Sequence, residues 1–414
     1  MRILHTSDWH LGKSLEGHSR MEEQEAFLED FINIVQKNHI DLVIIAGDIY
    51  DNANPPARAE KIFYQTLKKL SSKGERLTLI IAGNHDNPDR LVAAGPLARD
   101  HGIIMMGTPK SIVPRGDYGN NKVINSGQGF IEIELNKEKA IIIAVPYPSE
   151  KRLNEVLYNS MEEEKEQIKS YNDRIKKLFH NLSKNYREDT INILVSHLFT
   201  LGSDQAGSER NVQLGGSFIV NKDCFPENAQ YIALGHIHKP QIVPGTNGKA
   251  RYSGSPIQYN KKEINFKKKC FIVDVKAGKE CNIHEIELKV YKPIEVWKCS
   301  SIEDAIERCT KNKDINCWVY LEVTTDRFIR EDEIKFMKTT KKDIIEIVPK
   351  IGDNSSKNIN IHDFSHKSFE EIFREFYFKE RKVEPQSEVI DLLLSIMKEE
   401  KEYEAYQPEN KRIK

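Results

Sequence analysis

Five short apolar, β-branched runs in this 414-residue chain each stop at residues able to hold a metal ion, and that pattern constrains the fold more than any other feature. Arg2 to Thr6 precedes Ser7-Asp8-Trp9-His10, Asp41 to Ala46 precedes Gly47-Asp48, and Leu77 to Ala82 precedes Gly83-Asn84-His85-Asp86. Ile191 to Val195 precedes Ser196-His197, and Tyr231 to Leu234 precedes Gly235-His236-Ile237-His238. Runs of this kind read as strands buried on both faces. Helical patterns lie between them, for example Glu22 to Lys37, with Phe27, Phe31, Ile34 and Val35 on one stripe, and Arg58 to Leu70. The alternation predicts an α/β layered core. Ligands of open α/β sheets gather at the carboxyl ends of strands, so the chemistry is expected at that rim.

The rest of the chain divides into smaller pieces. Ser149 to Arg187 is a charged insertion with helical spacing (Ile168, Tyr171, Ile175, Leu178, Phe179, Leu182), read as an outer helix. With the core assigned to residues 1–285, a small α+β domain is expected over 286–350. Its strands are Ile294 to Lys298, Trp318 to Thr324 and Asp343 to Val348, and a capping box at Ser300-Ser301-Ile302-Glu303 opens its first helix. Residues 351–366 read as a linker rich in Gly, Asp, Asn and Ser. The tail, 367–414, predicts a helical pair with apolar faces at Phe369, Ile372, Phe373, Phe376 and Tyr377 and at Ile390, Leu393 and Leu394. Such a pair either packs back on its own domain or docks on the helices of a partner, and the linker favours docking.

Composition narrows the function classes. At 39% hydrophobic and 30% charged residues the chain has the profile of a globular protein, and no apolar run approaches the roughly 18 residues of a membrane-spanning helix. The N-terminus enters a strand at once, without a secretory signal, which leads to the expectation of a cytoplasmic, nucleoid-associated protein. Six scattered cysteines with no Cys-x-x-Cys pair fit reduced packing residues. Lys+Arg 62 against Asp+Glu 63 excludes a polycation, so any nucleic acid must be met by a local basic face.

The chemistry comes from the strand ends taken together. Asp8, His10, Asp48, Asn84, His197, His236 and His238 combine carboxylate, amide and imidazole donors, a mixture suited to two divalent ions such as Mn, Fe or Zn rather than Ca. A carboxylate must bridge the pair, and Asp48 is the central candidate. Two ions held in this way form a clamp for phosphate cleavage.

This ordered set resembles the calcineurin-like metallophosphoesterase superfamily. The fuller wording His5-Thr6-Ser7-Asp8-Trp9-His10-Leu11-Gly12-Lys13, with Glu16-Gly17, Arg20 and Gln24, is similar to its bacterial DNA-end nuclease branch. Gly47-Asp48-Ile49-Tyr50-Asp51, Gly215-Gly216 and Tyr252-Ser253-Gly254-Ser255-Pro256-Ile257 agree with it. The resemblance implies a β-sandwich flanked by helices and a Mn-dependent nuclease, a 3′ to 5′ exonuclease on duplex ends and an endonuclease on single strands and hairpins, serving DNA end processing, recombination and repair. It implies that Asp8, His10, Asp48 and His238 hold one ion, that Asp48, Asn84, His197 and His236 hold the other, and that His85 is the catalytic histidine. The tail would bind the coiled-coil base of an ATPase partner, the small domain would face DNA, and the nuclease would be a homodimer within a heterotetramer.

Several residues stay open at this level. Asp86 either orients His85 or caps the turn, and Asp51 is a candidate support for the site, at a position where non-bacterial relatives usually carry His. Arg210, in the polar loop Gly202 to Gly216, either touches phosphate or is solvated or salt-bridged. Asn260-Lys261-Lys262-Glu263 and Lys267-Lys268-Lys269 read by default as solvated faces, or else as a DNA-facing charge. Ile62, Leu67 and Leu70 either form a dimer face or cover the sheet. Beside the nuclease, a stand-alone phosphoesterase would explain the metals and leave the tail unexplained, while a weakly active scaffold for the ATPase would have no use for the ligand set.

Overall fold

The computed structural model describes residues 1–149, 152–153, 171–209 and 219–351, with 373, 374, 377, 385, 389 and 390 beyond them. Arg2–Thr6 pairs in parallel with Leu42–Ala46, which continues through Leu77–Ile81 to Ile103–Met106. On its other side Arg2–Thr6 runs antiparallel to Lys269–Asp274, and Asn282–Glu287 closes that edge. Among the described residues this makes a six-stranded sheet. An eight-stranded sheet is built around the parallel strands Glu138–Val145, Ile191–His197, Tyr231–Gly235 and Ala250–Tyr252.

The two sheets face each other, as a strand alternation with both faces apolar requires. Ile3, Leu42, Ile44, Leu79 and Ile81 meet Ile131, Ile142, Ile193, Val195 and Ala233 in a shared core. The alternate residues of the first sheet, Leu4, Val43, Ile45 and Ile80, pack with Phe27, Phe31, Val35, Phe63 and Leu67 of the helices Met21–Lys37 and Ala57–Leu70. Ile62, Leu67 and Leu70 belong to that core, so this stripe covers the sheet. The second sheet turns Ile141, Ile143, Leu194 and Ile232 toward Tyr171, Ile175, Leu178 and Phe179 of the helix Tyr171–Ser183, the expected outer helix; Ile168 lies outside the described residues.

Asn282–Glu287 spans the expected boundary at residue 285 and belongs to the first sheet, so the chain leaves that sheet only after Glu287. A three-stranded sheet follows, Ile294–Cys299, Trp318–Thr325 and Ile344–Ile351, with the helices Ile302–Lys311 and Glu331–Thr340. The cap of the first of these helices sits one residue later than the Ser300 to Glu303 pattern suggests. Ser301 Oγ accepts from the Asp304 amide at 3.1 Å, and Asp304 accepts from the Ser300 amide at 2.8 Å. One face of this sheet packs on its own helices, and the other meets Leu15 and Ile264 through Ile294, Trp318, Tyr320 and Ile345. Trp318 Nε1 donates to Glu23 at 2.8 Å.

Residues 351–414 form a separate unit, in which the Phe373 and Tyr377 rings lie 5.7 Å apart. The expected helical pair, with Phe369, Ile372, Phe376, Leu393 and Leu394, lies outside the described residues, although Phe373 and Ile390 are helical. All six cysteines are free thiols, and among the described residues no helix is long and apolar enough to cross a membrane.

Candidate metal centre

The carboxyl ends of both sheets converge on one place. The first sheet delivers Asp8 and His10, then Asp48, then Asn84 and His85 from three successive strand ends, and the second delivers His197 and the His236-Ile237-His238 loop. Asp8, His10, Asp48 and His236 all have left-handed backbone, with φ of 54°, 45°, 52° and 100°. Non-glycine residues adopt that conformation only where the surroundings enforce it. Trp9 supplies part of that enforcement: buried between Asp8 and His10, it stacks edge-on with Phe27 and Phe31 at 5.8 and 5.5 Å and donates from Nε1 to Thr6 at 3.0 Å. Its anchoring turns the residues on either side toward the rim.

Glycines let the strand ends approach one another. A Cβ on Gly83 would collide with the Asp48 carboxylate, and one on Gly47 (φ 92°) with the His197 ring. Asp48 is thereby placed at the centre, its Oδ2 lying 3.3 Å from His197 Nε2, 3.6 Å from His10 Nε2 and 3.9 Å from His85 Nε2. Its other oxygen accepts from the His85 amide at 2.9 Å. Around it, His10 Nε2 and His238 Nε2 are 2.9 Å apart, and Asn84 Oδ1 is 3.0 Å from His197 Nε2 and 2.9 Å from His236 Nδ1. Asp8 accepts from the His236 amide at 2.9 Å and from Ser7 Oγ at 2.5 Å. The seven side chains read as ligands from the sequence are thus brought together.

Burial dominates the electrostatics. It lifts Asp8 to about 6 and, with His197 adding to it, drops His236 to about 3; it also holds His10 well below the usual imidazole range. At Asp48 burial is outweighed by the imidazoles of His197, His85 and His10, which keep the carboxylate well below its ordinary range. His197 is the complement: burial opposes its charge, but Asp48 beside it raises it to about 9. Oxygen and imidazole donors crowd within a few ångströms in three overlapping groups, Asp8-His10-His238, Asp8-Asp48-His197 and His10-Asp51-His85. Carboxylate, amide and imidazole donors packed this tightly form a mixed oxygen and nitrogen set of the kind that holds divalent cations.

The supporting residues resolve as follows. Asp86 has the geometry of a turn cap, its oxygens accepting from the amides of Gly83 (2.8 Å), Tyr50 (3.0 Å) and Ile49 (3.1 Å) and so tying two strand ends together. The backbone carbonyl of Asp51 accepts from His85 Nδ1 at 2.6 Å, while its carboxylate pairs with Lys13 at 2.7 Å and lies 3.6 Å from His10 Nδ1. Arg210 and the Gly215-Gly216 turn lie outside the described residues.

Two residues of consequence were not legible as such. Lys268, taken with its neighbours as a solvated or DNA-facing charge, is buried: it pairs with the equally buried Glu263 and donates to Ser255 Oγ at 2.6 Å and to the His238 carbonyl at 3.2 Å. Glu263 in turn faces His238 Nδ1 at 3.5 Å and accepts from Ser208 Oγ. The one signal in the sequence is the two-residue spacing of Lys268 from Cys270 and Ile272, apolar residues of the strand it leads into, which puts the lysine on their face.

A family model described as calcineurin-like phosphoesterase matches residues 1–240, and one described as type 5 capsule protein repressor C-terminal domain matches residues 290–381. SbcD of Bacillus subtilis (strain 168), a component of the nuclease SbcCD, is 37% identical over 398 residues, covering 96% of this chain and 97% of its own. The Escherichia coli (strain K12) protein of the same name is 27% identical over 359 residues, 84% of each chain, and the Rhodobacter capsulatus one 30% over 282 residues, 67% of each. The crystal structure of a dimetal phosphatase from Danio rerio aligns over 68% of this chain and 98% of its own, at a TM-score of 0.33 and 12% identity.

Proposed function

This chain belongs to the calcineurin-like phosphoesterases and, within them, to the SbcD family of SbcCD nuclease components; from that premise we propose that it hydrolyses DNA phosphodiesters at a centre of two divalent ions, with His85 as the catalytic histidine. The observation that carries the reading is the convergence of three imidazoles, those of His197, His10 and His85, on one oxygen of the Asp48 carboxylate within 3.3 to 3.9 Å. Asp8, His10, Asp48 and His238 would hold one ion and Asp48, Asn84, His197 and His236 the other, with Mn as the first choice and Fe or Zn as alternatives. When bound, such ions supply charge neutralisation at the phosphate oxygens and water acidic enough to attack at neutral pH.

The residues of the chain provide the rest. His85 donates from Nδ1 to the Asp51 carbonyl, which fixes its ring and turns Nε2 toward Asp48. A histidine held this way positions a phosphate at the rim or passes a proton to the leaving sugar oxygen. Asp86, by capping the Gly83 to Asp86 turn, holds Asn84 and His85 in register with Asp48. No base-reading element is needed for a nuclease that works at ends, and exposed Lys261, Lys262 and Lys267 would give sequence-independent, salt-sensitive affinity for the DNA backbone.

The family also supports the outer parts of the reading: residues 286–350 as a DNA-facing cap, 351–366 as a linker, and the helices of 367–414 as the contact with an SbcC-type ATPase in a heterotetramer. The test is an assay of purified protein on a blunt duplex, a hairpin and a phosphomonoester, each with Mn, Mg or chelator, with and without the ATPase. Mn-dependent DNA cleavage, widened by ATP and partner, is the expected result. Phosphomonoester turnover without DNA cleavage would replace it with a stand-alone phosphatase, and bound metal without any turnover would leave a scaffold.

A further inference from the structure

Glu263 and Lys268 lie outside every motif that delivers the metal centre, yet both are buried and both bear on His238. Counting hydrogens fixes the direction of each bond. The Lys268 ammonium has three, and they go to Glu263 Oε2, Ser255 Oγ and the His238 carbonyl. The hydroxyl of Ser208 has one, and it goes to Glu263 Oε1. Ser208 Oγ is then an acceptor toward His238 Nδ1, 2.5 Å away, so Nδ1 carries the ring proton. In the neutral ring that leaves the lone pair on Nε2, the atom 2.9 Å from His10 Nε2 inside the Asp8-His10-His238 group.

We propose that Glu263, locked by Lys268 and acting through Ser208, is a positioning residue that fixes the His238 tautomer whose Nε2 receives a divalent cation. The inference deepens the two-ion reading and rests on it. Its logic is that of an outer partner that orients a metal-binding imidazole and holds the correct nitrogen bare. The fully buried ion pair is otherwise hard to account for, since two well-packed apolar residues would serve stability as well or better. Glu209 adds to the restraint by accepting from the His238 amide at 3.0 Å, so ring and backbone are both held.

The test uses full-length protein labelled with nitrogen-15 histidine, stripped of metal, at a pH where the imidazoles are neutral; the His238 resonance is assigned by its loss in His238→Gln. The Nδ1–H form is expected in the wild type. It should give way toward Nε2–H in Ser208→Ala and in the double variant Glu263→Gln/Lys268→Met, which strands neither buried charge. In Mn titration calorimetry these variants should lose about 10- to 100-fold in affinity for one of two equivalents and keep the other, while Ser208→Thr, which retains the hydroxyl, restores it. Melting curves without metal separate this loss from misfolding. An Nε2–H His238 in the wild type, or variants with unchanged tautomer and Mn affinity, would overturn the assignment. Wild-type protein that shows Nδ1–H but binds no Mn would overturn the two-ion reading and the purpose given to the relay, while the hydrogen placement stands.

Discussion

His85, like His197, is held from behind by a backbone carbonyl, and of the three imidazoles around Asp48 Oδ2 its Nε2 lies farthest away, at 3.9 Å. Replacing it by Gln keeps size and polarity but removes the imidazole that would carry a proton to or from the substrate. His85→Gln should therefore fold and load metal as the wild type does while cleaving DNA about 10²- to 10⁴-fold more slowly. Metal analysis beside a nuclease assay checks this, and normal cleavage would remove His85 from the mechanism. Asp86 makes the opposite kind of claim, a structural one. Asp86→Ala leaves the amides of Gly83, Ile49 and Tyr50 without their acceptor, at about 1–3 kcal/mol for each that stays buried and bare, which urea denaturation would register. Wild-type stability in that variant would mean that the turn holds itself.

At the scale of elements, the centre depends on strands ending where bulk is absent. Gly83 needs no left-handed backbone, so an alanine there tests space alone: Gly83→Ala should destabilise the protein by about 1–3 kcal/mol and lower its metal content, because the added methyl falls on Asp48. Gly95→Ala, with nothing near its Cβ, is the control and should be close to neutral. Equal effects at both positions would refute the steric argument. The same elements show what a reader of the sequence can and cannot see. Each site strand was legible because an uninterrupted apolar run must be buried on both faces and its polar stop must then sit at the sheet's end. The Ser301 cap lay one residue from its expected place because both serines fit the local pattern, and only the hydrogen bond chooses between them. Asp86 had two readings for a similar reason, since its amide partners come from a second strand end as well as its own. Lys268 is hidden in the sequence because its partner Glu263 approaches through a short 3-10 turn, a tertiary event inside a run of like charges.

For the whole molecule, ligand binding and stability are one account. Ions that bind only the folded centre should raise its unfolding free energy by about 2.7 kcal/mol for each ion supplied at a hundred times its dissociation constant. Melting curves with Mn and with chelator would show the shift, and coincident curves would contradict a resident metal. Deleting residues 369–414 should leave intrinsic metal-dependent cleavage and abolish copurification with the ATPase; a truncated protein that still copurifies would sink the tail assignment. The pairing of Arg2–Thr6 with Lys269–Asp274 has a consequence for biosynthesis. A ribosome releases the first strand long before its antiparallel neighbour exists, and His197, His236, His238 and the Glu263-Lys268 pair emerge late as well. A nascent chain therefore carries Asp8, His10, Asp48 and Asn84 with no partners to close around a cation. The donor set is incomplete until synthesis has passed His238 and its Glu263-Lys268 support, and a cation that meets the chain earlier finds only the first sheet's half of the cradle.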